Sequence, residues 1–158
     1  MHSPCAAPGG RAISSSCATA IYGRLRDPGR QLAWIEFQRA TGSRADRWLT
    51  AAIEADAPLA TTGLILVEIP ADARDELQAH DLRRLLDRCR FLPVEDPFDF
   101  ESAATLYRTC RLEGIRIRRL PDCLIAAVAI RTETPLLHQD ADFDAIARHA
   151  PLAIAALD

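Results

Sequence analysis

From residue 31 onward, stretches with apolar residues at helical spacing alternate with short apolar runs. LAWIEFQR at 32–39 and ADRWLTAAIEA at 45–55 read as two helices, parted by the turn and cap signal Thr41-Gly42-Ser43. PLATT at 58–62 reads as a short buried strand. GLILVEI at 63–69 then opens a helical stretch that Pro70 is expected to disturb, because proline lacks an amide hydrogen and crowds the preceding turn. ELQAHDLRRLLDRC at 76–89 sets Leu77, Leu82, Leu85 and Leu86 on one side, with an arginine-rich outer face. FLPV at 91–94 is a second short strand, after which Asp99 to Arg111 carries Phe100, Ala103, Ala104, Leu106, Tyr107 and Cys110 at helical spacing until Gly114. PDCLIAAVAIR at 121–131 has proline in its first turn and is apolar on almost every face, the pattern of a helix buried at the centre of a domain. PLLH at 135–138 is a strand, Asp142 to His149 a short helix, and Leu152 to Leu157 a last strand. Strands separated by helices imply a mostly parallel sheet covered on both faces, a three-layer α/β/α fold.

Residues 1–30 stand apart from this pattern. They carry Pro4, Pro8, Gly9, Gly10 and the run Ser14-Ser15-Ser16, with no acid before Asp27, and read as an atypical, poorly ordered segment ahead of a domain at 31–158. A chain of 158 residues, 49% hydrophobic and 26% charged, suits one compact domain. Arg, Asp or Glu interrupts every apolar run well short of the roughly 18 residues that a membrane helix needs. The net charge of −3 excludes a wholesale electrostatic grip on nucleic acid, so any such contact comes from a local patch. All 19 basic residues are arginine. The five cysteines are odd in number and show no C-x-x-C spacing, as expected of reduced thiols in a cytoplasmic protein.

Four carboxylates need an explanation. Glu68 sits inside LILVEI, Asp122 opens the apolar helix, and Asp140 and Asp142 follow the strand PLLH. An ionised carboxylate at an apolar position is costly unless it is hydrogen-bonded, paired or metal-bound. Two structural readings stay open: Asp140 as the N-cap of the helix near Asp142, and Asp122 as a first-turn acid favoured by the helix dipole. Taken together the four acids suggest a site, because groups beyond the carboxyl ends of parallel strands converge. Converging carboxylates with no His or Cys at ligand spacing suit Mg²⁺ or Mn²⁺ and disfavour zinc. Such a cation serves phosphodiester hydrolysis.

PDCLIAAVAIR at 121–131 followed by PLLHQDADFDAIA at 135–147 resembles the C-terminal half of PIN-domain ribonuclease toxins of the VapC type. WIEF at 34–37 and GLILVE at 63–68 agree in order, so the resemblance covers about residues 31–156. It implies an α/β/α domain that cleaves RNA with Mg²⁺, a VapB-type antitoxin as partner in a type II toxin-antitoxin pair, and a homodimer. It also implies roles: Asp122, Asp140 and Asp142 bind or orient the metal, and Glu68 helps to position metal or water. The family's first acid normally ends the opening strand in a V-D-T-S-like sequence, four residues before the Trp of WIEF. Here that position is Arg30, and Asp27 is the nearest acid. Asp27 substitutes only if AIYGRL at 20–25 forms the central strand. Pro70 and Asp72 depart from the family pattern after Glu68.

Arg116, Arg118 and Arg119, just before Asp122, are candidates for an RNA backbone contact, with a solvated charged face as the alternative. His138 reads as structural, and Trp34 and Phe37 as core or a partner groove. Three functions are weighed: a magnesium-dependent endoribonuclease toxin, a catalytically degenerate PIN domain that only binds an antitoxin or itself, and a phosphatase-like α/β hydrolase. The last lacks an early nucleophilic acid at a strand end.

Overall fold

The computed structural model describes residues 18–20, 37, 39–71, 73–138 and 140–156. Trp34, Asp27 and Arg30 lie outside the described residues, as does most of the helix expected at 32–39; Phe37 and Arg39 have helical backbone. Among the described residues four parallel strands form one sheet, in the spatial order β3-β2-β1-β4. The strands are β1 (Ala18–Ala20), β2 (Leu59–Thr62), β3 (Arg90–Leu92) and β4 (Leu136–Leu137). Among the described residues six helices with full ranges connect and cover them: α1 (Arg44–Glu54), α2 (Gly63–Ala71), α3 (Glu76–Leu86), α4 (Phe98–Leu112), α5 (Leu120–Arg131) and α6 (Ala141–Ala147). This is the three-layer α/β/α arrangement that the pattern of the chain implies.

Strand β1 corrects the sequence reading. It falls inside the segment 1–30 that composition sets apart, yet it pairs with β2 through Ala18↔Leu59 and Thr19↔Ala60 and with β4 through Thr19↔Leu136 and Ala20↔Leu137. The domain therefore draws an internal strand from ahead of residue 31, and that strand precedes most of AIYGRL. Three residues reading A-T-A are too short and too small to register as an apolar run. The C-terminal strand expected at 152–157 is reduced to a single bridge, Leu136↔Ile154.

Local chemistry fixes the helix ends. The Ser43 side chain accepts from the Asp46 amide (3.1 Å), while Asp46 accepts from the Gly42 amide (2.8 Å), a reciprocal cap that starts α1. Asp75 caps α3 through the Gln78 amide (2.8 Å). At the end of α4 the chain turns through Gly114 at φ +75°, a left-handed conformation that costs glycine little. Helix α2 starts directly at the end of β2 and runs through Pro70 to Ala71, so the proline sits in the last turn instead of breaking the helix earlier. Its carbonyl accepts from the Ala73 amide (3.2 Å). On α3, Leu82 and Leu86 are buried, but Leu77 is exposed, as is Phe100 on α4.

Helix α5 is the centre of the domain, with Cys123, Ile125, Ala126, Ala127, Val128 and Ala129 all buried. Val128 packs with Ala60 and Leu92 against one sheet face. Leu59, of opposite parity on β2, joins the larger cluster that holds Leu49, Leu82 and Leu86. The carboxyl end of α5 is clamped by ions. Arg131 donates through Nε and Nη2 to fully buried Asp99 (2.9 Å each), through Nη1 to Glu95 (2.9 Å) and through Nη2 to the Pro93 carbonyl (2.6 Å). Burial alone would push the Asp99 carboxyl up, but the Arg131 hydrogen bonds, the Glu95 amide and the Arg131 charge together hold it below its ordinary 3.8.

Removing Asp99 takes the buried carboxylate from the Arg131 guanidinium and leaves it only Glu95 and the Pro93 carbonyl, so Asp99→Ala is expected to cost about 3 kcal/mol in urea unfolding at pH 7. Because the folded state holds the Asp99 proton less tightly than the unfolded chain, the contribution is complete above about pH 5 and is lost as pH falls through the folded-state value. The difference between wild type and Asp99→Ala should therefore shrink steadily below about pH 4.

Candidate metal centre

In the order β3-β2-β1-β4 the chain runs outward from β1 on one side and returns to β4 on the other. The crevice beyond the carboxyl ends of β1 and β4 is the position where open parallel sheets gather ligand groups. Two helices begin there. The residues after β4 start α6 with Asp140 as N-cap, its side chain accepting from the Asp142 amide (3.0 Å). Helix α5 starts at Leu120–Pro121 and carries Asp122 in its first turn. The positive ends of two helix dipoles thus face the same acids.

Asp122, Asp140 and Asp142 converge. One carboxylate oxygen from each lies within 4.8 Å of the others, and the side chains are 1%, 1% and 5% exposed respectively by residue. The capping role of Asp140 and its place in the group hold together: the same carboxylate does both. Glu68 is half-buried on α2 and is not a member of the three-acid group.

Arginine completes the cluster. The segment I-R-I-R at 115–118 alternates, with Ile117 buried and Ile115 half-buried, so Arg116 and Arg118 leave on the opposite side. Arg116 is exposed. Arg118 donates from Nη2 to Asp140 Oδ1 (3.0 Å) and from Nε to Asp142 Oδ1 (3.2 Å), while its backbone amide donates to Asp142 Oδ2 (3.0 Å). Arg119 is half-buried at the N-cap position of α5, without a side-chain cap bond.

Two neighbouring groups are neutral. His138 is buried, lies against Phe143 with ring centroids 5.2 Å apart and planes tilted by 53°, and accepts the Asp140 amide hydrogen bond at Nδ1 (3.1 Å), which places its own hydrogen on Nε2. Burial lowers its pKa, against the opposing pull of Asp144 and Asp140. The Cys123 thiol, beside Asp122, is pushed up to about 12 by burial, with Cys110 and the nearby acids adding to the effect. Neither a thiolate nucleophile nor a soft metal ligand is therefore offered here. The donor set is three carboxylates, which suits a hard, oxygen-loving cation. The guanidinium already lying across two of them marks the spot as one that accepts positive charge.

Sequence reasoning had no signal for two features. Arg118 is read there only as one of three basic residues, and Asp99 only as the residue that opens a helical stretch, because its partner Arg131 is 32 positions away.

The PIN domain family model matches residues 32–149, a span that begins after β1 and contains all three acids. A VapC ribonuclease of Mycobacterium bovis and the ribonuclease VapC11 of Mycobacterium tuberculosis are each 42% identical over 117 residues, covering 73% of this chain and 87% of theirs. Among solved structures, VapBC-5 of Mycobacterium tuberculosis aligns with a TM-score of 0.53 at 30% identity, over 64% of this chain and 85% of that one. VapBC2 of Rickettsia felis, bound to a promoter DNA fragment, aligns with a TM-score of 0.60 over 78% and 92%; at 16% identity this likeness speaks to the fold alone.

Asparagine caps a helix as well as aspartate does, so the two functions of Asp140 separate by substitution. Asp140→Asn should keep the start of α6, whereas Asp140→Ala should be less stable than the Asn form by about 1 kcal/mol in thermal or urea unfolding. Both should weaken Mn²⁺ binding, measured by titration of free Mn²⁺ in electron paramagnetic resonance.

Proposed function

From the premise that the chain belongs to the PIN-domain family and groups there with VapC ribonucleases, we propose that it is a metal-dependent endoribonuclease, the toxin of a type II toxin-antitoxin pair. The observation that carries this reading is the convergence of Asp122, Asp140 and Asp142 at the carboxyl end of the sheet, inside the matched span. Mg²⁺ is the proposed cation, with Mn²⁺ as a substitute. When bound, such a cation polarises a phosphate oxygen and makes a bound water more acidic.

The chain's own residues supply the rest. Asp122, Asp140 and Asp142 would hold the cation. Asp140 and Asp142 are kept in place by main-chain donors, the amides of Asp142 and Arg118. Helix α5, buried along its length, gives Asp122 a fixed base. Glu68 on α2 is proposed to help orient the attacking water from the β2 side. Arg116, Arg118 and Arg119 are proposed to meet the RNA backbone, where a planar guanidinium suits phosphate. The relatives are VapC proteins and VapBC assemblies, which supports a VapB-type antitoxin as partner; a homodimer and action in the cytoplasm complete the proposal. No helix among the described residues is long and apolar enough to cross a membrane.

A second reading has its own observation. Strand β1 and the residues after it read A-T-A-I-Y-G, with no acid at the carboxyl end of this internal strand. A domain short of one carboxylate could bind an antitoxin without turnover.

Cleavage of a mixed RNA substrate by antitoxin-free protein distinguishes the two. The proposed enzyme cleaves with Mg²⁺ or Mn²⁺, stops with a chelator, and loses activity by at least about 100-fold as Asp122→Asn. No cleavage with either ion, from a chain that still copurifies with a small partner, would establish the degenerate reading instead.

A further inference from the structure

Arg118 holds its positive charge where a metal cation is expected to place its own. Its guanidinium bridges Asp140 Oδ1 and Asp142 Oδ1, two carboxylates of the three-acid group. We propose that this guanidinium is a built-in occupant of the acidic centre, which a divalent cation must displace, so that Arg118 sets the metal concentration at which the centre fills. The inference rests on reading the three acids as a cation site.

Three observations support displacement over permanent residence. First, the acids do not depend on the guanidinium for their positions: Asp140 Oδ1 also accepts from the Asp142 amide, and Asp142 Oδ2 accepts from the Arg118 amide. Those main-chain donors stay when the side chain swings away, because buried Ile117 anchors the backbone of the segment. Second, the partners differ in their access to water. The Arg118 side chain is 42% exposed, whereas those of Asp140 and Asp142 are 1% and 7% exposed. The guanidinium has water to move into and the carboxylates do not, so its departure leaves buried anions that call for another cation in its place. Third, the two occupants exclude each other by charge. A divalent ion among these carboxylates would face a guanidinium at contact distance in a poorly hydrated pocket, where like charges repel strongly.

Mn²⁺ binding to the full chain tests this, by electron paramagnetic resonance of the free ion for wild type, Arg118→Gln and Arg118→Lys. Loss of the competitor should tighten binding about tenfold in Arg118→Gln, equivalent to about 1.4 kcal/mol. Arg118→Lys, which keeps the charge but cannot bridge both carboxylates with a planar fork, should fall between the two. Equal or weaker binding in both variants overturns the proposal and leaves the cation site standing. No Mn²⁺ binding by any form overturns both. A measurement on the wild type covers the case in which Arg118→Gln does not fold: the Arg118 Nε–H resonance, assigned by its loss in Arg118→Lys, should move to a solvent-exchanging position as Mg²⁺ is added. A resonance that stays in place while Mg²⁺ binds would show that the guanidinium and the metal coexist, against the proposal.

Discussion

Three carboxylates within 4.8 Å of one another, none more than 5% exposed by residue, place a concentrated negative charge where water cannot screen it. Everything around them answers that condition. The sheet order puts them at its switch point, where two helices begin and turn their positive ends inward. Main-chain amides of Asp142 and Arg118 bind two of the carboxylates, and the Arg118 guanidinium lies across the same pair. Two neighbours stay uncharged: burial favours the neutral forms of the His138 imidazole and the Cys123 thiol. A centre arranged in this way tolerates a cation and has no chemistry of its own for a thiolate or an imidazolium.

The rigidity of the centre comes from α5. It is buried on most faces from Asp122 to Ala129 and is pinned at its end by the Arg131 clamp onto Asp99, Glu95 and the Pro93 carbonyl. An acid mounted on such a helix cannot drift by fractions of an ångström without moving the core, and metal ligands require that constraint. Arg118, by contrast, sits on an edge segment with its side chain partly in water. The buried anions and the partly exposed cation therefore sit on different elements of the fold.

Much of this was legible in the residue pattern. Helix α5 announces itself because apolar residues on all faces fit only a central helix, and Asp122 at its mouth is conspicuous for the same reason. Asp140 illustrates a limit of local reading. A residue before a helix start looks like an N-cap, a residue after a strand end looks like a ligand, and the structure shows one carboxylate in both positions at once. Strand β1 escaped because three small residues owe their strand conformation to partners on either side, β2 and β4, which lie about 40 and 117 positions away in the register Thr19↔Ala60 and Thr19↔Leu136. The Arg118 and Arg131 pairs escaped for the same reason, since alternation shows which side a residue leaves from and not what it meets. Glu68 stands out in the sequence as an acid among apolar neighbours; on its helix it is half-buried and is not one of the three acids within 4.8 Å of one another.

Asp122, Asp140 and Asp142 are proposed to form one cation site together. A crystal grown with Mn²⁺ and measured at an energy where manganese scatters anomalously tests it most directly. The account predicts an anomalous peak among these three carboxylates, with the Arg118 guanidinium moved off Asp140 and Asp142. A peak elsewhere on the molecule, or none there with the guanidinium still bridging the two acids, would contradict it.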